Sequence, residues 1–336
     1  MTSVRAWVWV ACAIVGAVVI ALAASLVAVA GPASGPPSEP VALGTPVVVQ
    51  VGDNPQAVAP TPDGRRVIVV SQAGLTVLDA STNTVIGTIA LRAWYGSLLI
   101  APDGERAYVA SPLGVDPIDL TTGLIQDTVG GEGGLSSVEA VSPDGARLLG
   151  VIQDAQPAIG LVDVAAGTTR RIPLPSPPNP EAVVVAPDGN RVYAVLSSSS
   201  GVTDPLQVID VATGVATPVP DTAGTLSLAL SPDGRSVHAI GYSKAVVLDA
   251  ATGTVTRSVP TGLLSGQFVA SPDGRHLYVV DVLDDGIRVF DMDSGTVVAT
   301  IPLGTQPRAL ALAPDGSRLY VVSESGLSVV PVPVGR

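Results

Sequence analysis

A single turn, Pro-Asp-Gly after Thr, Ser or Ala, recurs seven times in this chain, with its prolines at 62, 102, 143, 187, 232, 272 and 314. Proline presets φ at the second turn position, aspartate bonds the backbone ahead of it, and glycine accepts the positive φ that closes the turn. Successive prolines lie 40, 41, 44, 45, 40 and 42 residues apart. A period of that length with β-rich flanks predicts one propeller blade per repeat.

The sixth repeat shows the unit most plainly. In FVASPDGRHLYVVDVLDDGIRVFDMDSGTVVATIPL the pattern predicts strands over 268–270, 276–280, 287–290 and 296–301. A second marker, an aspartate closing the third strand, falls at Asp79, Asp119, Asp163, Asp210, Asp249 and Asp291. A turn aspartate bonding its own backbone accounts for all six. The seventh repeat has Pro331 there and then ends, so its fourth strand is missing. That strand is expected from the other end of the body. VGDNPQAVAPTPDG from Val51 matches LGTQPRALALAPDG from Leu303 in spacing, which predicts that Val47–Val51 is the outer strand of the last blade. Closure of this kind removes the open edges of a stack. The expected fold is all-β, a seven-bladed β-propeller over residues 45–336 with four antiparallel strands per blade.

Ahead of it, Ala6 to Ala30 is an apolar stretch long enough to cross a bilayer as a helix, with Arg5 on its N-terminal flank. Two readings stand: a membrane anchor, or a signal peptide cut after Ala28-Val29-Ala30. Both place the remainder outside the membrane. Gly31 to Pro40 is rich in proline and glycine, and 31–44 is expected to be a linker. The only cysteine, Cys12, lies in the apolar stretch, so the exported body has no disulfide or thiol chemistry. The net charge of −12 disfavours nucleic acid as a partner.

The second-strand motifs YVAS at Tyr108, YVVD at Tyr278 and YVVS at Tyr320, with IVVS at Ile68 and YAVL at Tyr193, resemble the YVTN-type β-propeller repeat (YncE-like exported propellers). The resemblance covers about residues 45 to 333. It implies an exported propeller, and its relatives include surface-layer-like proteins, binding proteins, and lactonase or redox enzymes.

Chemistry is sparse. His238 stands five residues after Asp233, the slot that holds Tyr108, Tyr193, Tyr278 and Tyr320 in other repeats, which predicts a packing role. His276 lies two residues earlier in its own repeat, and no paired histidines exist. No metal site, cofactor or catalytic set is expected, since several convergent ligands are lacking, as is a nucleophile elbow. Propeller ligands gather on the rim where blade-to-blade loops and the loops between second and third strands meet. There Arg92, Trp94 and Tyr95 form the candidate contact patch, because tryptophan, tyrosine and arginine concentrate binding energy; a plug between blades is the alternative. Asp281, Asp284 and Asp285 add a solvated acidic loop on the same rim. The leading expectation is a non-enzymatic, monomeric propeller at the cell envelope that binds a protein, peptide or glycan. The alternatives are a structural envelope module and a lactonase-like hydrolase, for which Arg92, Arg308, Glu132, Glu181 and Asp281 are the available side chains.

Overall fold

The computed structural model describes residues 44–91, 97–111, 113–131, 134–142, 144–175, 179–197, 203–261, 266–281 and 284–332. The apolar segment of 6–30 and the linker up to residue 43 lie outside them. Every regular element described is a β-strand, and no helix among these residues is long and apolar enough to cross a membrane.

The strands form seven antiparallel sheets in sequence order. We number the blades one to seven by their innermost strands: Ala57–Pro60, Leu98–Ile100, Ser137–Val141, Asn179–Val185, Thr225–Leu230, Phe268–Ala270 and Pro307–Leu312. Each inner strand packs beside the next, and that of blade seven returns to that of blade one, so the ring is closed. The sixth blade has Phe268–Ala270, His276–Asp281, Gly286–Asp291 and Thr296–Pro302, within a residue of expectation at each end. The expected closure is present. Val47–Val49 pairs with Gly326–Pro331, Val47 facing Val329 and Val49 facing Leu327, as the fourth strand of blade seven.

Blade two departs from the rule of four. Its sheet has three strands, and the outer segment touches the third only through isolated bridges at Val115–Val129 and Ile118–Ile125. The cause is Pro117 in the third strand, Gly114–Asp119. Its carbonyl accepts from the Gln126 amide, but a proline has no N–H to return, so the ladder breaks there.

Two devices repeat around the ring. The side-chain oxygen of each third-strand aspartate accepts backbone amides in its own turn, as Asp249 does from Ala251 and Thr252. These bonds to the charged form hold the Asp249 carboxyl below the ordinary carboxylate range, led by the Thr252 hydroxyl. The following residue then bonds back to the turn, from Ala80 to Arg65 in blade one through Val332 to Ser317 in blade seven.

The carbonyl of that same following residue is where the preceding blade fastens on. Arg66 reaches Leu120, Arg170 reaches Val211, Arg257 reaches Met292 and Arg318 reaches Ala80. Between blades four and five the donor is the Tyr193 hydroxyl, 2.9 Å from Ala250 O and 3.3 Å from Asp249 O. The core is divided in the same way: seven apolar clusters, each across one blade interface, such as Tyr320, Val322, Leu327 and Val329 against Val67, Val69 and Leu78.

Tyr108 holds the same repeat position as Tyr193, yet its buried hydroxyl has no partner among the described residues. The two positions are therefore expected to respond differently to loss of the hydroxyl. Tyr193→Phe should cost about 1–2 kcal/mol, because it strands the buried Ala250 carbonyl, whereas Tyr108→Phe should be neutral or stabilising. Urea denaturation of the two variants checks this; equal losses would contradict the staple.

Candidate functional site

Antiparallel connection fixes two rims. The Pro-Asp-Gly turns and the aspartate turns lie at one end. The blade-to-blade loops, with the loops joining second and third strands, lie at the other. On that loop rim the inner strands of blades four, five and seven are irregular, with the extra residue carried on the inner strand. In blade four, Pro180 pairs with Leu196 and Ala182 with Val195, leaving Glu181 as that residue. In blade seven the equivalent residue is Arg308, between Pro307 and Ala309. In blade five it is Leu226. Such bulges bend a strand and re-aim a side chain, and they gather beside binding sites.

Blade three has its bulge two residues deeper. Ala140 pairs with Leu149 and Val138 with Gly150, so the extra residue is Glu139. It stands four residues before its turn proline, where the other six blades have Val58, Leu98, Val183, Leu228, Phe268 and Leu310. By pairing, the buried Val138 takes that layer position in blade three, opposite Gly150, and Glu139 is the acid inserted beside it. Burial pushes its carboxyl upward, and a hydrogen bond from Ser137 offsets this in part. The side chain still keeps some exposure.

The rim residues above it are tied to neighbours. Arg308 donates to Glu324 Oε1 at 2.7 Å and also to Asn54 Oδ1 of blade one. Asn54 Oδ1 further accepts from Gln56 Nε2 at 3.0 Å. Glu181 accepts from the Ser197 hydroxyl. Blades three and four are adjacent, and blade seven lies across the ring from them. The loop rim thus carries Glu181 on blade four and, across the ring, the Arg308–Glu324 pair on blade seven. Among the described residues no three His, Cys, Asp or Glu side chains are grouped to hold a metal ion.

The sequence-derived candidates fare unevenly. Arg92, Trp94, Tyr95 and Glu132 lie outside the described residues, and so does the question of patch or plug. Asp281 is not part of a solvated loop: it ends the second strand of blade six, is buried, and is ion-paired to Arg288 on the facing strand. Asp284 is exposed and reaches the same guanidinium at 3.3 Å. Asp285 is exposed with φ 46°. Arg288 is the reason the three acids do not act as one open cluster. Sequence reasoning passed over Glu139, although an acid among six apolar residues at one repeat position was a usable signal.

His238 fits the expected packing slot. It is 3% exposed, beside the Gly274 turn of blade six, and neither ring nitrogen has a hydrogen-bond partner among the described residues. Burial depresses its pKa to about 4; Asp233 opposes this and Arg257 adds to it. Because the folded value lies below the ordinary 6.5, the unfolded chain binds the extra proton between those values. Stability is thus full above pH 6.5 and falls as pH drops toward 4, by up to about 3 kcal/mol. His238→Leu should flatten that part of a pH-dependent denaturation series. An unchanged slope would reject the assignment to His238.

The molecule is thus a closed seven-bladed β-propeller with titratable side chains at one channel mouth. Residues 164–332, half of the chain, match the family described as "Lactonase, 7-bladed beta-propeller", and the chain belongs to that family. No curated protein matches the sequence. Among solved structures, hydrazine synthase of Kuenenia stuttgartiensis aligns at TM-score 0.68 and 20% identity, over 87% of this chain and 99% of that one. The Cps50 (Swd1) β-propeller domain of Myceliophteria thermophila aligns at TM-score 0.68 and 15% identity, over 85% and 99%. At such identities the likeness is one of fold alone.

Proposed function

We infer that this propeller hydrolyses a small lactone at the loop-rim mouth of its channel. The observation that carries the reading is Glu139, a desolvated acid inserted by a bulge beside the apolar layer of the inner strands. Family membership supports the same class of reaction. Opening a lactone needs a base for the attacking water, donors for the carbonyl oxygen, and a proton for the departing ring oxygen. A carboxyl with a raised pKa suits the first and last tasks, since its two forms are then closer in population near neutrality. In the proposed step water adds to the carbonyl carbon and its proton passes to Glu139. The ring C–O bond then breaks, the proton goes to the leaving oxygen, and a hydroxy acid departs. Arg308, held by Glu324 and Asn54, offers guanidinium N–H groups at the mouth for a substrate oxygen or carboxylate.

The partner-binding reading rests on Arg92, Trp94 and Tyr95, and the structure adds no observation in its favour. Export remains part of the proposal: the apolar 6–30 segment assigns this activity to the outer side of a membrane. The direct test is a pH-stat assay of the purified chain against γ-lactones, δ-lactones and sugar-acid lactones. Saturable hydrolysis above the buffer rate is expected for at least one class. No hydrolysis of any of them would overturn the lactonase reading.

A further inference from the structure

Between the outer halves of blades four and five lies a cleft of about 790 Å³, away from the channel. Its origin is local. The outer strand of blade four, Ala216–Pro218, has three residues, where the outer strand of blade five, Val255–Pro260, has six. Val208 and Val219 of blade four and Val246 and Val255 of blade five line it, Val219 and Val246 forming its buried floor within the apolar cluster of that interface. A volume of this size is in the range of small-molecule sites, and so is an apolar wall with a few polar groups.

Arg191 also lines the cleft; its side chain makes no hydrogen bond or salt bridge among the described residues, although its charge acts on the Asp210 carboxylate of the facing strand and on Asp249. That is informative because of its repeat position. Arg66 and Arg318 stand at the same distance after their turn prolines and each is spent on a carbonyl of the next blade, while Arg106 at that position pairs with Asp103 of its own turn. At the fourth interface Tyr193 already reaches the carbonyls of Asp249 and Ala250. Arg191 is left over. Lys244, the chain's one lysine, lines the cleft as well and bonds only the Asp221 carbonyl oxygen. Two acids share the lining. Asp210 is committed to the Thr213 amide and hydroxyl in its own turn, and Asp221 is exposed. The cleft therefore combines valine walls with a guanidinium that has donors to spare.

We propose that this cleft is a second binding site, for an amphipathic carboxylate whose hydrocarbon body lies along Val208, Val219, Val246 and Val255 and whose carboxylate pairs with Arg191. It is independent of the channel and of the lactonase reading. The probes are decanoate and 1-decanol, which share a chain and differ in the head group, titrated calorimetrically into the full chain. Decanoate should bind saturably at one site, and decanol at least tenfold more weakly. Arg191→Gln should weaken decanoate about tenfold or more, the loss expected for a charged hydrogen bond. Thr217→Trp, which fills the cleft from an exposed wall position, should abolish binding of both. Glu139→Gln should leave binding unchanged, which separates this site from the channel. Equal affinity for the two probes, or decanoate affinity unaffected by Arg191→Gln, would overturn the carboxylate assignment. Undiminished binding to a folded Thr217→Trp chain would overturn the location.

Discussion

Replacing Glu139 by glutamine should lower lactone hydrolysis by about 10² to 10⁴, the usual contribution of a positioned acid–base group. The substitution keeps the shape and the Ser137 contact and removes only titration. For the wild type the rate should rise with pH as the carboxyl ionises, with its inflection above the ordinary glutamate value of 4.5. The variant should lack that limb. Stability should move the other way. A carboxyl raised by burial favours the folded state below its unfolded pKa, and that contribution is lost as pH rises through the folded value. Glu139→Gln should therefore be at least as stable as wild type at neutral pH. A folded variant with unchanged kcat and an unchanged pH profile would remove Glu139 from the reaction.

The second large effect concerns ring closure. Deleting Pro46–Val51 from the full chain should destabilise the propeller by on the order of 5 kcal/mol, from the lost strand pairing and the burial of Val51. Leu327 and Val329 would lose their cover, and the third strand of blade seven would become an open edge prone to self-association. Thermal unfolding and light scattering would reveal both changes. A deletion variant with wild-type unfolding and no association would mean that three paired residues contribute little to closure.

The repeat was legible because each blade reuses the same local chemistry. The turn prolines, the six aspartates and the match between Val51 and Leu303 all depend on residues near in sequence within a repeat, and, Pro143 apart, which lies outside the described residues, the structure has them where the pattern put them. His238 was readable for the same reason, by its place in a tyrosine slot. What could not be read was register. The bulges at Glu139, Glu181 and Arg308 come from pairing between strands, and a strand's alternation does not reveal where an extra residue will be absorbed. The broken ladder of blade two had a visible cause in Pro117, but its outcome depends on which partner amide lies opposite. The cleft was hidden too, since it follows from how far one outer strand extends before its neighbour begins.

The pairing of Val47 with Val329 sets a schedule as well as a shape. During synthesis the first strand of the body emerges long before its partner. At about 5–20 residues per second the delay for the intervening 280 or so residues is roughly 15–60 s. Six blades can collapse in that interval while blade seven has nothing to complete it. The ring therefore locks only after the third strand of blade seven has emerged, and until then the early strand is free and available to the wrong partner.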